Sequence, residues 1–312
     1  MPLVSIIIPC HNAAPWLAQT LESALAQTWE DKEVFLVDDG STDRSLEIAR
    51  SFEARGARVL RQSNRGASAA RNAGLAVARG EYVQFLDADD LLTPDKVAAQ
   101  VQLLESRKPG HIASCRWGRF IDDPSAVRFV DDADLRDFLP MDYLIVHAGG
   151  KRTMHTAAWL VPRAVAESAG PWNETLSLNA GGEYFTRVVL ASQGIAYSAT
   201  GASLCRSQPP GRLRQPSDRP AIESLVLSVE LTAGHMRRAE DSPRVVQALA
   251  NCWQFLEYET HASAPDLSQR AAREVKALGG STVRPEMGPK QAMLARLIGW
   301  KLSQRIVKCF RR

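Results

Sequence analysis

A chain of 312 residues with 45% apolar and 23% charged side chains, 20 Gly and 17 Pro has the make-up of a globular protein. That excludes collagen-like, low-complexity and wholly disordered chains, and the length allows one large domain or a domain with an appendage. The 38 Lys and Arg exceed the 35 Asp and Glu by a formal +3, too little to point to nucleic acid.

The first hundred residues alternate short β-branched runs with helical patterns. Leu3 to Pro9, Glu33 to Asp38, Ala57 to Arg61 and Glu81 to Asp87 read as strands, the first two apolar enough for burial on both faces. Between the first pair, Trp16, Leu17, Thr20, Leu21, Ala24 and Leu25 recur at helical spacing behind Pro15. Ser41 or Thr42 can cap a second helix, and an Ala-rich third runs from about Ala67 to Ala78. Such a series predicts a mostly parallel sheet covered by helices. After residue 110, strands are expected at Ile112 to Trp117, Ala126 to Val130, Met154 to Val161 and Ile195 to Ala199, with helices near 163–169 and 182–192. Pro, Gly and Arg in 207–220 mark a linker, and helices are expected at about 221–239, 243–260, 265–278 and 290–309.

The five cysteines, Cys10, Cys115, Cys205, Cys252 and Cys309, are odd in number and far apart, so neither a disulfide framework nor a cysteine zinc site is read. The opening MPLVSIIIPC lacks a positive n-region, its apolar run ends at Pro9, and no stretch approaches the roughly 20 apolar residues of a membrane span. A cytoplasmic setting is the expectation.

Open parallel sheets bind ligands beyond the carboxyl ends of their strands. Here those ends read PCHN, DDGSTD, QSNRG and DADD. Asp38 and Asp39 can grip the base of a nucleotide, or merely cap the next helix. Asp87 and Asp89 would face one way if their strand continued, and two convergent carboxylates favour a hard cation such as Mg²⁺ or Mn²⁺; the plainer use is an acidic loop before a helix. Arg71 can pair with a phosphate or with the aspartates, or lie at the surface. A dinucleotide-dependent oxidoreductase is disfavoured, because PCHNAAPW lacks Gly-x-Gly-x-x-Gly.

Taken in order, SIIIPCHN, VDDGSTD, NRGASAARNAG and FLDADD resemble the family 2 glycosyltransferases of GT-A fold, over roughly residues 3–200. The resemblance implies a Rossmann-like α/β domain over 1–206, with a donor half at about 1–110 and an acceptor half at about 111–206. The 207–220 linker and an α-helical C-terminal extension over 221–312 follow. It implies metal-dependent, inverting transfer from a nucleotide-diphospho-sugar, UDP-linked, to a hydroxyl of a glycan or lipid-linked acceptor in polysaccharide synthesis. Asp39 would read the base; Asp89 would ligate a divalent cation, with Asp87 on the ribose or the metal. Pro9, Asn12, Asp38, Asn64, Arg71, Ala88 and Arg206 would complete the donor site, Arg206 as a lid.

The general base departs from the pattern. Gly170, Glu174, Leu176 and Arg187 fit, but Ala180 and Gly181 stand where the family has an acidic pair. Glu183 can replace it, re-aimed by Gly181 and Gly182. It can equally pair with Arg187 one helical turn on, or the chain can be a degenerate donor-binding protein or partner subunit. His147 and His155 are candidate acceptor or metal contacts, and Trp117, Trp159 and Trp172 candidate sugar-stacking residues. Lys290, Arg296, Lys301, Arg305, Lys308, Arg311 and Arg312 give the tail seven positive charges and no acid, a pattern that suits peripheral contact with an anionic membrane.

Overall fold

The computed structural model describes residues 1–130, 135–148, 155–207, 218–284, 287–303 and 306. Most of the 207–220 linker, and Arg305, Lys308, Arg311 and Arg312 of the tail, lie outside the described residues. The chain packs as two compact units, Met1–Tyr143 with Met154–Arg214, and Leu144–Thr153 with Gln215–Arg312.

The first unit opens with β1 (Val4–Cys10), α1 (Leu17–Leu25), β2 (Lys32–Asp39), α2 (Ser45–Ser51), β3 (Ala57–Gln62), α3 (Ala67–Val77) and β4 (Tyr82–Phe85). It continues through β5 (Leu91–Leu92), α4 (Lys96–Glu105), β6 (His111–Phe120) and β7 (Arg128–Phe129). A helix, α5 (Pro140–His147), whose residues from Leu144 on belong to the second unit, was not foreseen in the sequence; β8 (Val161–Pro162), α6 (Arg163–Ala169), α7 (Ala180–Ala191) and β9 (Gly194–Arg206) follow. One sheet has the order β3-β2-β1-β4-β8, parallel except at β8. The other has the order β5-β9-β6-β7, with β6 and β9 parallel.

Burial explains the central strands. Every residue of β1 and all but the first of β2 are buried, as expected of parallel strands covered on both faces. Leu17, Thr20, Leu21 and Ala24 turn the buried stripe of α1 inward. On α3, Gly74 lets the helix lie close to β1: a Cβ there would sit 2.5 Å from Ile7 Cγ2. Gly40, at φ +70°, ends β2 in a conformation that suits glycine, and a Cβ would stand 2.8 Å from the Asn64 nitrogen.

Three expectations need correction. The fourth strand stops at Phe85, so residues 87–90 form a turn and strand alternation does not aim Asp87 and Asp89. Met154 to Val161 is no strand among its described residues: Thr156–Ala158 is a 3₁₀ turn, and only Val161–Pro162 pairs with β4. Buried side chains replace a ladder there, with Gln84 donating to the Ala157 carbonyl (3.0 Å), Gln100 to Ala158 (2.9 Å) and Lys96 to Trp159 (3.2 Å). The last expected helix is interrupted after Ile298 by Gly299, at φ +79°, and resumes at 300–303.

The second unit carries α8 (Arg219–Ala239), α9 (Pro243–Thr260), α10 (Pro265–Ala277) and α11 (Pro289–Ile298). Each has proline in its first turn, where the missing N–H leaves no bond unmade. Val226, Trp253, Leu256, Ala271 and Val275 form its core. No helix among the described residues is long and apolar enough to cross a membrane.

Candidate functional site

The carboxyl ends of the four parallel strands gather three polar groups. The first joins β1, β2 and β3. Asp39 is 2% exposed: its Oδ1 accepts from Gln62 Nε2 (2.7 Å) and the Arg65 amide (2.8 Å), and its Oδ2 from the Gly66 amide (2.8 Å). The carboxylate thereby satisfies amides at the start of α3, where negative charge is favourable. Asp38 is fully buried, with Oδ1 accepting from the Ser41 amide (3.3 Å) and Arg61 Nε 3.7 Å from Oδ2. Asn12, at φ 51°, accepts the Thr42 and Asp43 amides on Oδ1 (2.8 and 3.3 Å), tying the turn after β1 to that after β2. His11 Nδ1 donates to the Asp39 carbonyl (2.9 Å), and the exposed Asn64 amide lies 3.3 Å from its ring. Pro9 is buried within β1.

The second group is the turn after β4. Arg71, 8% exposed on α3, donates from Nη2 to Asp87 Oδ1 at 2.6 Å, with its guanidinium carbon 4.4 Å above the Trp172 ring. Burial opposes ionisation of Asp87, but Arg71 and then His155 outweigh it and hold the carboxyl below its usual range. Asp89 moves the other way, pushed up from 3.8 to about 7 by burial first, then by the charges of Asp90 and Asp87. The Ala88 carbonyl between them accepts from Thr20 Oγ1 at 3.0 Å, which fixes the turn to α1. Proximity of the carboxylates therefore comes from this turn, against the repulsion of their charges. An excess of anionic oxygen in one place, with Asp89 held near neutrality, is a donor set that suits a hard divalent cation.

The third group links that turn to the end of β9. Asp90, 2% exposed, accepts the Arg206 amide on Oδ1 (2.7 Å) and meets His155 Nε2 with Oδ2 (3.0 Å). The His155 ring stacks on Trp117, with centroids 5.6 Å apart. Burial disfavours the imidazolium, yet Asp90 prevails and holds the His155 pKa well above its ordinary value. Arg206 is already engaged: Nε donates to the Asp89 carbonyl (3.0 Å), Nη1 to Ile121 (3.1 Å) and Nη2 to Gln19 Oε1 (2.6 Å), over the Phe120 ring. It thus braces the acidic turn in this conformation.

Glu183 opens α7 and is 3% exposed, with Oε1 accepting from Arg187 Nε (2.7 Å) and Oε2 from Nη2 (2.9 Å). Arg187 also donates to the Pro171 carbonyl (2.8 Å) and to that of Ala169. Ala180 and Gly181 bring no carboxylate, and a Cβ on Gly181 would sit 3.2 Å from Thr156 Oγ1. Trp172 and Trp159 pack among aromatic neighbours, Trp172 on Tyr184 (4.0 Å) and Trp159 on Phe185 (5.4 Å).

Sequence reasoning missed two connections. Asn72, next to Arg71, accepts the Trp172 amide (2.8 Å) and donates to the Trp172 carbonyl (2.9 Å) and Glu174 (3.0 Å), so it clamps the loop that Arg71 stacks on. Asp90, His155 and Cys205 come together from segments with no spacing pattern to connect them. Asn72 alone had a signal, its place in SAARNAG.

Residues 5–149 match the family model for Glycosyl transferase family 2. The UDP-Glc:alpha-D-GlcNAc-diphosphoundecaprenol beta-1,3-glucosyltransferase WfaP of Escherichia coli is 38% identical over 111 residues, which are 35% of this chain and 43% of WfaP. The matched segments span 16% to 55% of the lengths of such relatives. Among solved structures, S. aureus TarS 1-349 in complex with UDP superposes with a TM-score of 0.61 at 16% identity, covering 88% of each chain. Mannosyltransferase PcManGT from Pyrobaculum calidifontis, in complex with GDP-Man and Mn²⁺, gives 0.61 at 20% identity, covering 96% of this chain and 81% of that one. With these matches added to four motifs in order and a parallel sheet that gathers them at one edge, residues 5–149 form a domain of the family 2 glycosyltransferases, on a GT-A fold.

Proposed function

We propose that this chain transfers a sugar, with inversion, from a UDP-linked donor to a hydroxyl of a glycan or lipid-linked acceptor in the synthesis of a surface polysaccharide. The observation that carries the reading is the turn after β4, where Arg71 holds Asp87 ionised at 2.6 Å while Asp89 is pushed up to about 7. The names of WfaP and of the TarS complex support a UDP-linked donor.

Asp89, with Asp87 beside it, would hold Mn²⁺ or Mg²⁺, which when bound supplies positive charge for the departing nucleoside diphosphate. The chain's own residues do the rest. Arg71 keeps Asp87 charged and aimed, and its stacking on Trp172 fixes the guanidinium. A carboxylate has about four lone-pair sites; three of those on Asp39 are engaged, so one on Oδ2 remains to read the base. Pro9, Asn12, Asp38 and Asn64 shape the base pocket, Ala88 lies against the donor, and Arg206 turns from its carbonyl partners towards the diphosphate.

A second reading is favoured by Ala180, Gly181 and the pairing of Glu183 with Arg187: donor binding without transfer, in a partner subunit. Calorimetric titration of UDP and UDP-sugars with Mn²⁺ and then with EDTA, while UDP release is followed, separates the two. Metal-dependent binding with UDP release upholds transfer; binding without release in any acceptor pool upholds the second reading. No binding to any nucleotide sugar sinks both.

The proposed site of action is the cytoplasmic face of a membrane, reached through the C-terminal tail. On and after α11, Met293 (69%), Leu297 (78%) and Leu302 (48%) are exposed beside Arg296 and Lys301. Wild-type protein is expected to sediment with phosphatidylglycerol vesicles and not with phosphatidylcholine alone. Leu297→Asp should weaken that binding about tenfold or more, since one buried Leu contributes roughly 1.5–3 kcal/mol. Equal binding by the variant would refute contact through α11.

A further inference from the structure

We propose that Asp90, His155 and Cys205 form a metal site of their own, for a thiolate-accepting divalent cation of the Zn²⁺ type, separate from the carboxylates of Asp87 and Asp89. One ligand atom from each of the three residues lies within 4.8 Å of the other two. Adjacent ligands of a tetrahedral shell with bonds of about 2.0–2.3 Å stand about 3.3–3.8 Å apart. Closing the set therefore takes an approach of at most about 1 Å at its widest pair, while Nε2 and Oδ2, 3.0 Å apart, open by a few tenths of an ångström as the ion comes between them.

The donors select the metal. A thiolate, an imidazole and a carboxylate together suit Zn²⁺ or Co²⁺, whereas Mg²⁺ and Mn²⁺ prefer oxygen throughout. The ligands are also oriented by contacts of their own, as metal ligands usually are. The Arg206 amide holds Asp90 Oδ1 at 2.7 Å and leaves Oδ2 to face the cluster. Trp117 holds the His155 ring by stacking, so that Nε2 points at Oδ2, 3.0 Å away. Asp90 is buried, and His155 and Cys205 are partly buried, so the site is shielded yet open to an entering ion.

Ligation displaces the proton held between Nε2 and Asp90 and the proton of the Cys205 thiol; both pass to solvent, and no electron moves. The Ala157 amide contact with Nδ1, already long at 3.4 Å, is given up. Three protein ligands leave the fourth position to water. The bound ion would tie together three separate segments: the turn after β4, the residue ahead of the 3₁₀ turn, and the end of β9. It would thereby stiffen the side of the site on which Arg206 lies.

The test is titration of the purified full chain with Co²⁺ alone, followed by absorption. One equivalent should produce a thiolate-to-cobalt charge-transfer band in the near ultraviolet, which Zn²⁺ then removes. Asp89→Ala should keep the band, whereas Cys205→Ser should lose it while retaining the wild-type circular dichroism. No band in wild type, or a band that survives Cys205→Ser, overturns the proposal. A second measurement uses only the wild-type chain, so it stands even where the variant misfolds. Zn²⁺ should slow alkylation of Cys205 by iodoacetamide at least tenfold, read by peptide mass mapping, and an unchanged rate at Cys205 also overturns it. Neither readout involves a nucleotide sugar, so failure here leaves the donor site untouched.

Discussion

Asp89→Asn abolishes Mn²⁺-dependent affinity for UDP, and in the absence of metal it raises the thermal stability of the protein at pH 8. Both effects come from one arrangement. Burial, Asp90 and Asp87 push Asp89 from 3.8 up to about 7, so the native state holds that proton more tightly than the unfolded chain does. The contribution of Asp89 to stability is therefore full below about pH 4 and is lost as pH rises through about 7. At pH 8 the wild-type chain carries an uncompensated charge that Asn removes. The gain is on the order of 1–3 kcal/mol for a group partly screened by solvent. It appears as a higher Tm, by roughly 2–4 °C per kcal/mol.

A divalent cation relieves the same repulsion, so Mn²⁺ should stabilise wild type at pH 8 and do so less at pH 6, where protons compete for Asp89. Scanning calorimetry at the two pH values, with and without Mn²⁺, and UDP titration of both proteins are the measurements. Unchanged UDP affinity in Asp89→Asn with Mn²⁺ present would remove Asp89 from the metal site. A Tm that drops at pH 8 would remove the account of its charge.

How far the sequence led depends on what each signal measures. Apolar runs record burial, and β1 and β2 came out within about a residue because both faces of those strands are covered. The placing of the polar strand ends at one sheet edge follows from parallel pairing, which the alternation of elements already implied. Less legible was anything set by side chains reaching across the fold. Gln84, Lys96 and Gln100 hold the carbonyls of Ala157, Trp159 and Ala158, and their reach turned an apolar stretch that reads as a strand into a 3₁₀ turn. Asp39 was visible as a carboxylate at a strand end, but its bonds to the amides of Arg65 and Gly66 depend on the exact path of the next loop. His155 and Cys205 could not be linked to Asp90 at all, because it is the pairing of β5 with β9, with Leu91 opposite Leu204, and the fold of the segment before β8 that bring them to the acidic turn.

The same distinction governs Glu183, where geometry points to anchoring. Glu183→Gln is expected to lower stability by about 2–4 kcal/mol, towards the low end of the range for breaking a buried pair because Arg187 is partly exposed. The loss should spread to the donor site. Arg187 fastens the carbonyls of Ala169 and Pro171, the loop runs on to Trp172, and Arg71 stacks on that ring while it aims Asp87. KM for the donor should therefore rise along with the fall in Tm. Arg187→Met should act in the same way, and the double variant should lose less than the sum of the two, since neither charge is then left unpaired. A base behaves otherwise: kcat collapses while Tm and donor KM hold, and Arg187→Met does not reproduce it. Melting curves and donor kinetics of the three variants decide between the two, and selective loss of kcat in Glu183→Gln would restore that carboxylate as the group that takes the acceptor's proton.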